Sequence, residues 1–283
     1  MVVLAAAAAG QAIAARTQAS SSALGPLRVW GGTEIRSLDP PSAAAAADPP
    51  SPGSLSQGAP PQAGSGSSQP PPDEVLSNER TFTRWAYVAR RAPIYTRPTT
   101  SSPRGPWLHS YTEDGFPGIY LLLRAHWDRT GQEWIKVRIP KRPNGHTGWV
   151  RRQDLDAFHV THMQLTVDRA RERIYLYNSG RRVWSAPAGV GKPSTPTPAG
   201  HFWIRERFKI EDPHSGYWPY AFGTSDYSVL SDWPGGGVIG IHGPYYQPAA
   251  IPGQVSHGCI RLRTSDDAWL AHHIGLGTPV HVI

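Results

Sequence analysis

Near residue 80 the chain changes character, and that break limits what it can fold into. Upstream run Ser20-Ser21-Ser22, alanines from Ala43 to Ala47, Pro49-Pro50, Gly64-Ser65-Gly66 and Pro70-Pro71-Pro72. Such a sequence buries too little apolar surface to offset chain entropy, so residues 15 to about 80 are expected to be a disordered tether. Leu27-Arg28-Val29-Trp30 is a small apolar island within it. Downstream, short β-branched and aromatic segments alternate with turn residues, the pattern of a mainly β chain. Glycine and proline contribute 29 residues each, too many for one compact body, and much of the excess lies upstream of the break.

From Thr81 onward, Trp85-Ala86-Tyr87-Val88 and Pro93-Ile94-Tyr95 read as strands, followed by Ile119 to Leu123 and Trp134 to Ile139. Asn144-Gly145 is a turn signal, and Thr147-Gly148-Trp149-Val150 resumes the strand pattern. The run Gly131-x-Glu133-Trp134-x-Lys136-Val137, then Arg142-Pro143-Asn144-Gly145-x-x-Gly148-Trp149-Val150, resembles bacterial SH3-like domains. The resemblance spans residues 82–156 and implies a small β-barrel, either a spacer or a cell-wall-binding module.

Residues 158–283 are again strand-rich. Met163 to Val167 alternates apolar and polar, and Arg173 to Tyr177, the Asn178-Ser179-Gly180 turn and Val183-Trp184-Ser185 make a hairpin meander. Phe202-Trp203-Ile204, Val238 to Ile241 and Pro279 to Ile283 add strands. One helix is expected, capped by Thr264 with Asp267 three residues on, apolar at Trp269-Leu270 and ended by Gly275. The expected fold is a β-sandwich with one helix.

Cys259 is the only cysteine. A lone thiol near imidazoles is a candidate nucleophile, because a thiolate of ordinary pKa ~8.5 is scarce at neutral pH and needs a proton acceptor. His257 and Arg261 lie two residues before and after it, on its face if the chain is extended. Arg261 is then placed to hold a substrate carboxylate, or it makes a surface salt bridge. Gly258 lets the backbone approach a scissile carbonyl, and the N–H groups of Gly258 and Cys259 are candidate oxyanion donors. Upstream lies Ile241-His242-Gly243, where the Gly243 carbonyl can fix the His242 tautomer. Two other readings stay open. Cys259 is a small buried hydrophobe, or His242, His257 and Cys259 bind zinc, although no carboxylate or second cysteine joins them.

The segment Ser256-His257-Gly258-Cys259-Ile260-Arg261-Leu262, with Ile241-His242-Gly243 upstream, resembles the signature of the L,D-transpeptidase (YkuD-type) family. Ser194-Thr195-Pro196-Thr197-Pro198-Ala199-Gly200 before the strand His201 to Ile204 is a second likeness. The resemblance implies a YkuD-type sandwich that cross-links peptidoglycan stem peptides 3→3 through a cysteine acyl-enzyme. It implies His242 as general base or thiolate partner, His257 beside the substrate, no cofactor or metal, and acylation by carbapenem β-lactams. Water as acceptor would make an L,D-carboxypeptidase, and a lipoprotein amine an anchoring enzyme. Pro244 departs from the family, which often has Thr there. Residues Gly216 to Phe222, with Pro234 to Gly237, resemble the groove and lid region. Tyr217 and Trp218 therefore line a peptide groove or pack the sandwich edge, and Ser256 joins the substrate contacts.

Charge and targeting narrow the setting. The formal charge is +7, with four lysines (Lys136, Lys141, Lys192, Lys209) among 28 basic residues, and the charges are scattered. That favours an anionic wall polymer over nucleic acid. No stretch approaches the ~20 apolar residues of a membrane-spanning helix. Met1 to Ala9 followed by Ala12-Ile13-Ala14 resembles an export signal without its basic start, so the expected location is the cell envelope, periplasm or wall. The single cysteine excludes an internal disulfide and leaves the compartment open. Two rival functions remain, a non-catalytic wall-binding protein and a general Cys-His peptidase.

Overall fold

The computed structural model describes residues 27–30, 33–39, 70–232 and 234–283. The expected export segment and most of the tether lie outside them. Two strands, β1 (Leu27–Trp30) and β2 (Thr33–Ser37), precede a first sheet. That sheet is built from β3 (Glu74–Val75), β4 (Thr83–Tyr87), β5 (Pro93–Tyr95), β6 (Arg104–Trp107), β7 (Ile119–Trp127), β8 (Glu133–Arg138), β9 (Thr147–Arg151) and β10 (His159–Thr161). Its order is β10-β4-β7-β8-β9-β5-β6, with β3 also paired to β7.

The second sheet takes β11 (Met163–Asp168), β12 (Arg173–Asn178), β13 (Arg181–Pro187), β14 (Gly189–Gly191) and β15 (Gly200–Ile210). It continues with β16 (Tyr220–Tyr227), β17 (Val238–His242), β18 (Gly253–Ser256), β19 (Ile260–Arg261) and β20 (Pro279–Val282). The order is β13-β12-β11-β20-β15-β16-β17-β19-β14-β18, and the curled sheet closes on one core. The inward residues follow the two-residue period of strands: Leu165 and Val167, Ile174 and Leu176, Phe202 and Ile204, Ile239 and Ile241, Val280 and Val282. The single helix among the described residues, α1 (Thr264–Ala271), closes that core with Leu270 and Ala271.

The continuous apolar run of β7 has a physical reason: both of its faces are covered. Tyr120 and Leu122 face the core of the first sheet, whereas Ile119 and Leu121 pack with Trp85 against Trp203 of β15. Gly277 is required at this junction. Its φ is +72°, and a Cβ there would sit 2.0 Å from Trp85 Cδ1. Beside the apolar contact, buried Arg205 makes a 2.6 Å ion pair with Glu113, which also accepts the Tyr227 hydroxyl.

Several expectations are revised. Part of the segment read as tether adds to the second sheet, because β2 pairs antiparallel with β15, Ile35 opposite Ile210. Ile35 is buried with Phe116, Phe208 and Ala221, Leu38 packs against the second core, and Arg36 and Asp39 pair with Glu211 and Arg207. The helix ends at Ala271, before Gly275, and Thr264 does not cap it through its side chain. Asp267 is fully buried and accepts the Tyr220 N–H at 2.9 Å, tying α1 to β16 instead of completing a capping box.

Trp203 spans both bodies. Trp203→Ala should therefore lower stability by about 3–5 kcal/mol in urea denaturation, and a loss below about 1 kcal/mol would contradict this packing.

Candidate active site

The register of two short strands assembles the site. β17 and β19 run parallel with Ile241 opposite Ile260 and His242 opposite Arg261. The inward pull of Ile239, Ile241, Ile260 and Leu262 sends the alternate residues His242, Cys259 and Arg261 to the opposite face. The Leu262 N–H donates to the His242 carbonyl at 2.9 Å, and the Gly240 N–H donates to Cys259 Sγ at 3.4 Å. All three side chains line one narrow cavity of about 50 Å³, with Tyr217, Ser228, Val238 and His257 among the other walls.

The electrostatics disfavour charge on both the imidazole and the thiol. His242 is buried, and its Nδ1–H donates to the Gly243 carbonyl at 2.8 Å, which leaves the lone pair on Nε2. Burial first, then the charge of Arg261, lowers the imidazole pKa to about 3. Burial also pushes the Cys259 thiol above its ordinary range, opposed by the Gly240 amide and Arg261. Cys259 itself is a free, half-buried thiol. The arrangement is thus a thiol beside an unprotonated base, with the proton still on sulfur.

Arg261 is 6% exposed, which rules out the surface salt bridge. Its guanidinium carbon lies 4.6 Å from the Tyr245 ring centroid, Nη1 donates to Gln247 Oε1 at 3.2 Å, and the buried Nε has no hydrogen-bond partner. His257 receives Lys192 Nζ on Nε2 at 3.2 Å, and burial with the charges of Lys192 and Arg261 lowers its pKa. The ammonium makes that ring nitrogen a poor place for a second cation. Elsewhere Glu79, His201 and His281 bring donor atoms within 4.8 Å of one another. Arg138, however, grips both Glu79 oxygens at 2.6 and 2.7 Å, so a cation there would face a guanidinium.

A polar clamp shapes the cysteine loop. Ser256 is fully buried yet borders the thiol cavity, and its hydroxyl donates to the Cys259 carbonyl at 2.6 Å and accepts the Gly258 N–H at 3.1 Å. The Gly258 N–H is thereby engaged at rest and is not free as an oxyanion donor. Gly258 is needed for shape, since its φ is +126° and a Cβ would meet Ile239 Cδ1 at 2.6 Å. Thr197 Oγ1 donates to the Gly258 carbonyl at 2.7 Å and accepts the Gly191 N–H at 2.9 Å, while Thr195 Oγ1 donates to the Ser256 carbonyl at 3.2 Å. The Thr195-Pro196-Thr197 segment is therefore the brace of the cysteine loop.

Tyr217 and Trp218 part company. The Tyr217 ring lies 4.8 Å from the His242 ring and lines the thiol cavity. Both pack against the Phe116–Phe208 cluster, but Trp218 lines a different cavity of about 280 Å³ with Pro244, Tyr245 and Tyr246. The rest of the expected groove segment, from Tyr220, is the central strand β16, with Ala221 and Phe222 buried. Sequence reading missed Tyr245, Lys192, Ser228 and Asp226. Tyr245 and Tyr246 hold left-handed φ of 50° and 62°, a strained conformation for aromatic residues that no local signal announced. Asp226, buried beside the thiol, has its carboxyl raised by burial to about 7.

Residues 162–282 match the model of the YkuD family, the L,D-transpeptidase catalytic domain. L,D-transpeptidase 1 of Mycobacterium tuberculosis is 31% identical over 113 residues, covering 37% of this chain and 44% of that protein. The probable L,D-transpeptidase 3 of the same organism is 34% identical over 105 residues, covering 34% and 37%. The chain thus spans less than half the length of the curated relatives it matches. The crystal structure of an Enterococcus faecium L,D-transpeptidase mutant is 26% identical with a TM-score of 0.34, over 43% of this chain and 49% of that one.

Thr197→Val keeps the shape of the brace and removes its hydroxyl, leaving the Gly191 N–H and Gly258 carbonyl unpaired. It should lower stability by about 1–3 kcal/mol in chemical denaturation, and an unchanged midpoint would show that the brace is not needed.

Proposed function

We propose that this chain is a peptidoglycan L,D-transpeptidase working through a thioester on Cys259, a reading supported by the match of residues 162–282 to the YkuD family model. The observation that carries the reading is the one-face arrangement of Cys259, His242 and Arg261 around a neutral, tautomer-fixed imidazole. His242 Nε2 takes the thiol proton as sulfur attacks the amide carbonyl between the third and fourth residues of a donor tetrapeptide stem. The tetrahedral oxyanion is met by the Cys259 backbone N–H. The C–N bond breaks, the proton passes from His242 to the departing D-alanine amine, and the thioester remains. The side-chain amine of an acceptor stem then attacks the thioester and gives its proton to His242; the carbon–sulfur bond breaks, His242 passes that proton to the departing sulfur, and the 3→3 cross-link and the free thiol remain.

The remaining residues take supporting roles. Arg261 offers its unpaired Nε to a stem-peptide carboxylate. His257 and Lys192 form a positive edge beside the acyl group. Gly258 contributes loop shape, and Gly243 holds His242. A side chain at Gly243 has no room, since a Cβ would fall 1.7 Å from the Trp218 carbonyl oxygen. Tyr217 forms the aromatic wall. Residues 82–156 act as an SH3-like module, spacer or wall binder, and the enzyme works in the cell envelope after export. Among the described residues no helix is long and apolar enough to cross a membrane.

Intact mass measurement after incubation with a carbapenem tests this directly. Wild type should gain one β-lactam mass and Cys259→Ala none, while His242→Ala should acylate at least about 100-fold more slowly. Folded wild type without an adduct, or a His242→Ala rate equal to wild type, would overturn the mechanism.

A further inference from the structure

The reacting residues all come from the second sheet, yet one wall of their cavity is held from the first. We propose that the turn carrying Arg142 and Asn144, between β8 and β9, is a positioning element of the active site that acts through Ser228. The proposal rests on the reading of Cys259 as the acylated nucleophile and adds a body of the protein to that site.

The chain of contacts is short. Arg142 Nη2 donates to the Ser228 carbonyl at 3.0 Å and to the Leu230 carbonyl at 3.2 Å, and its guanidinium carbon lies 4.7 Å from the Tyr227 ring centroid. Asn144 pairs with the Tyr227 backbone in both directions, donating from Nδ2 to the carbonyl at 3.0 Å and accepting the N–H at 3.1 Å. A side-chain amide used this way imitates a neighbouring strand. Ser228 passes the constraint on. Its N–H donates to the Gly237 carbonyl at 2.8 Å, and its hydroxyl donates to the His257 carbonyl at 2.9 Å, two residues from the thiol. Ser228, Gly237, Val238 and Ile239 are all walls of the thiol cavity.

Close packing fixes the same point. Gly237 has φ +81°, and a Cβ there would come within 2.0 Å of the Leu230 oxygen and 2.6 Å of Arg142. The turn and the wall therefore meet with no room between them. The cavity is small, about 50 Å³, and Ser228 on its wall is held from a separate sheet by Arg142. Arg142 itself is exposed and touches no reacting atom, which makes it a positioning residue. Misplacing a reacting group by about 1 Å can cost about 100-fold in rate, so hydrogen bonds this far from the sulfur can govern turnover.

The test uses the full chain with Arg142→Gln, Asn144→Ala and Arg142→Lys, at a temperature where all three are folded by circular dichroism. Cys259 alkylation by iodoacetamide reports access to the thiol and needs no transpeptidase activity, while carbapenem acylation reports the aligned site. In Arg142→Gln and Asn144→Ala, alkylation should rise several-fold while acylation falls about tenfold or more. Arg142→Lys, which keeps a cation and its donors, should recover most of the acylation. Loss of folding alone does not produce opposite changes at an unchanged circular dichroism signal. If wild type alkylates but is never acylated, the transpeptidase reading fails, and a rise in alkylation in the variants still supports the positioning role. Alkylation and acylation at wild-type rates in both variants, or no recovery in Arg142→Lys, would overturn it.

Discussion

Everything at the site depends on the register between β17 and β19. Ile241 faces Ile260, and both are driven into the core, so His242 and Arg261 must face each other on the other side with Cys259 one pleat away. A slip of one residue would bury the imidazole's face of the strand and expose the isoleucines. The hydrophobic core thus sets the chemistry: four apolar side chains hold three polar ones in place, and no contact between the polar groups is needed to bring them together. The Leu262-to-His242 hydrogen bond locks the same register from the backbone side.

Around that register the protein spends polar groups on shape. Gly258 must be glycine, its carbonyl is held by Thr197, and Ser256 closes the turn on the Cys259 carbonyl. Each of these groups is buried, where an unpaired donor or acceptor is expensive, so the loop has few alternative conformations. The brace continues outward through Ser228 to Arg142 and Asn144. The two sheets are joined by an apolar contact at Trp203 and by the Arg205–Glu113 pair. Arg142 and Asn144 of one sheet's turn reach Ser228, Leu230 and Tyr227 of the other beside this junction.

Much of this was legible in the sequence because strand periodicity and the residues around Cys259 are local signals. The segments Pro93–Tyr95, Met163–Asp168 and Arg173–Asn178 appear as strands close to where alternation put them. The Gly243 carbonyl binds His242 as its adjacency suggested. What stayed hidden depends on distant partners. Ile35 looks like an isolated apolar residue until β15 offers it a place beside Phe208. Tyr220 to Phe222 read as groove aromatics, yet flanking strands make them the sheet interior. The Ser256 hydroxyl closes the cysteine turn on the Cys259 carbonyl, a contact that the motif alone does not announce. Tyr245 reaches Arg261 only through a left-handed backbone that pattern reading does not anticipate.

The central claim is that the thiol and imidazole rest uncharged and that the proton moves only as the carbon–sulfur bond forms. Burial disfavours either charge, and Arg261 adds to the penalty on an imidazolium. Ultraviolet titration of thiolate absorbance, taken as wild type minus Cys259→Ala, measures this state without any substrate. The account predicts no thiolate signal at neutral pH and a single rise above the ordinary thiol range. A thiolate already present at or below neutral pH would contradict it and would put an ion pair of Cys259 and His242 in its place.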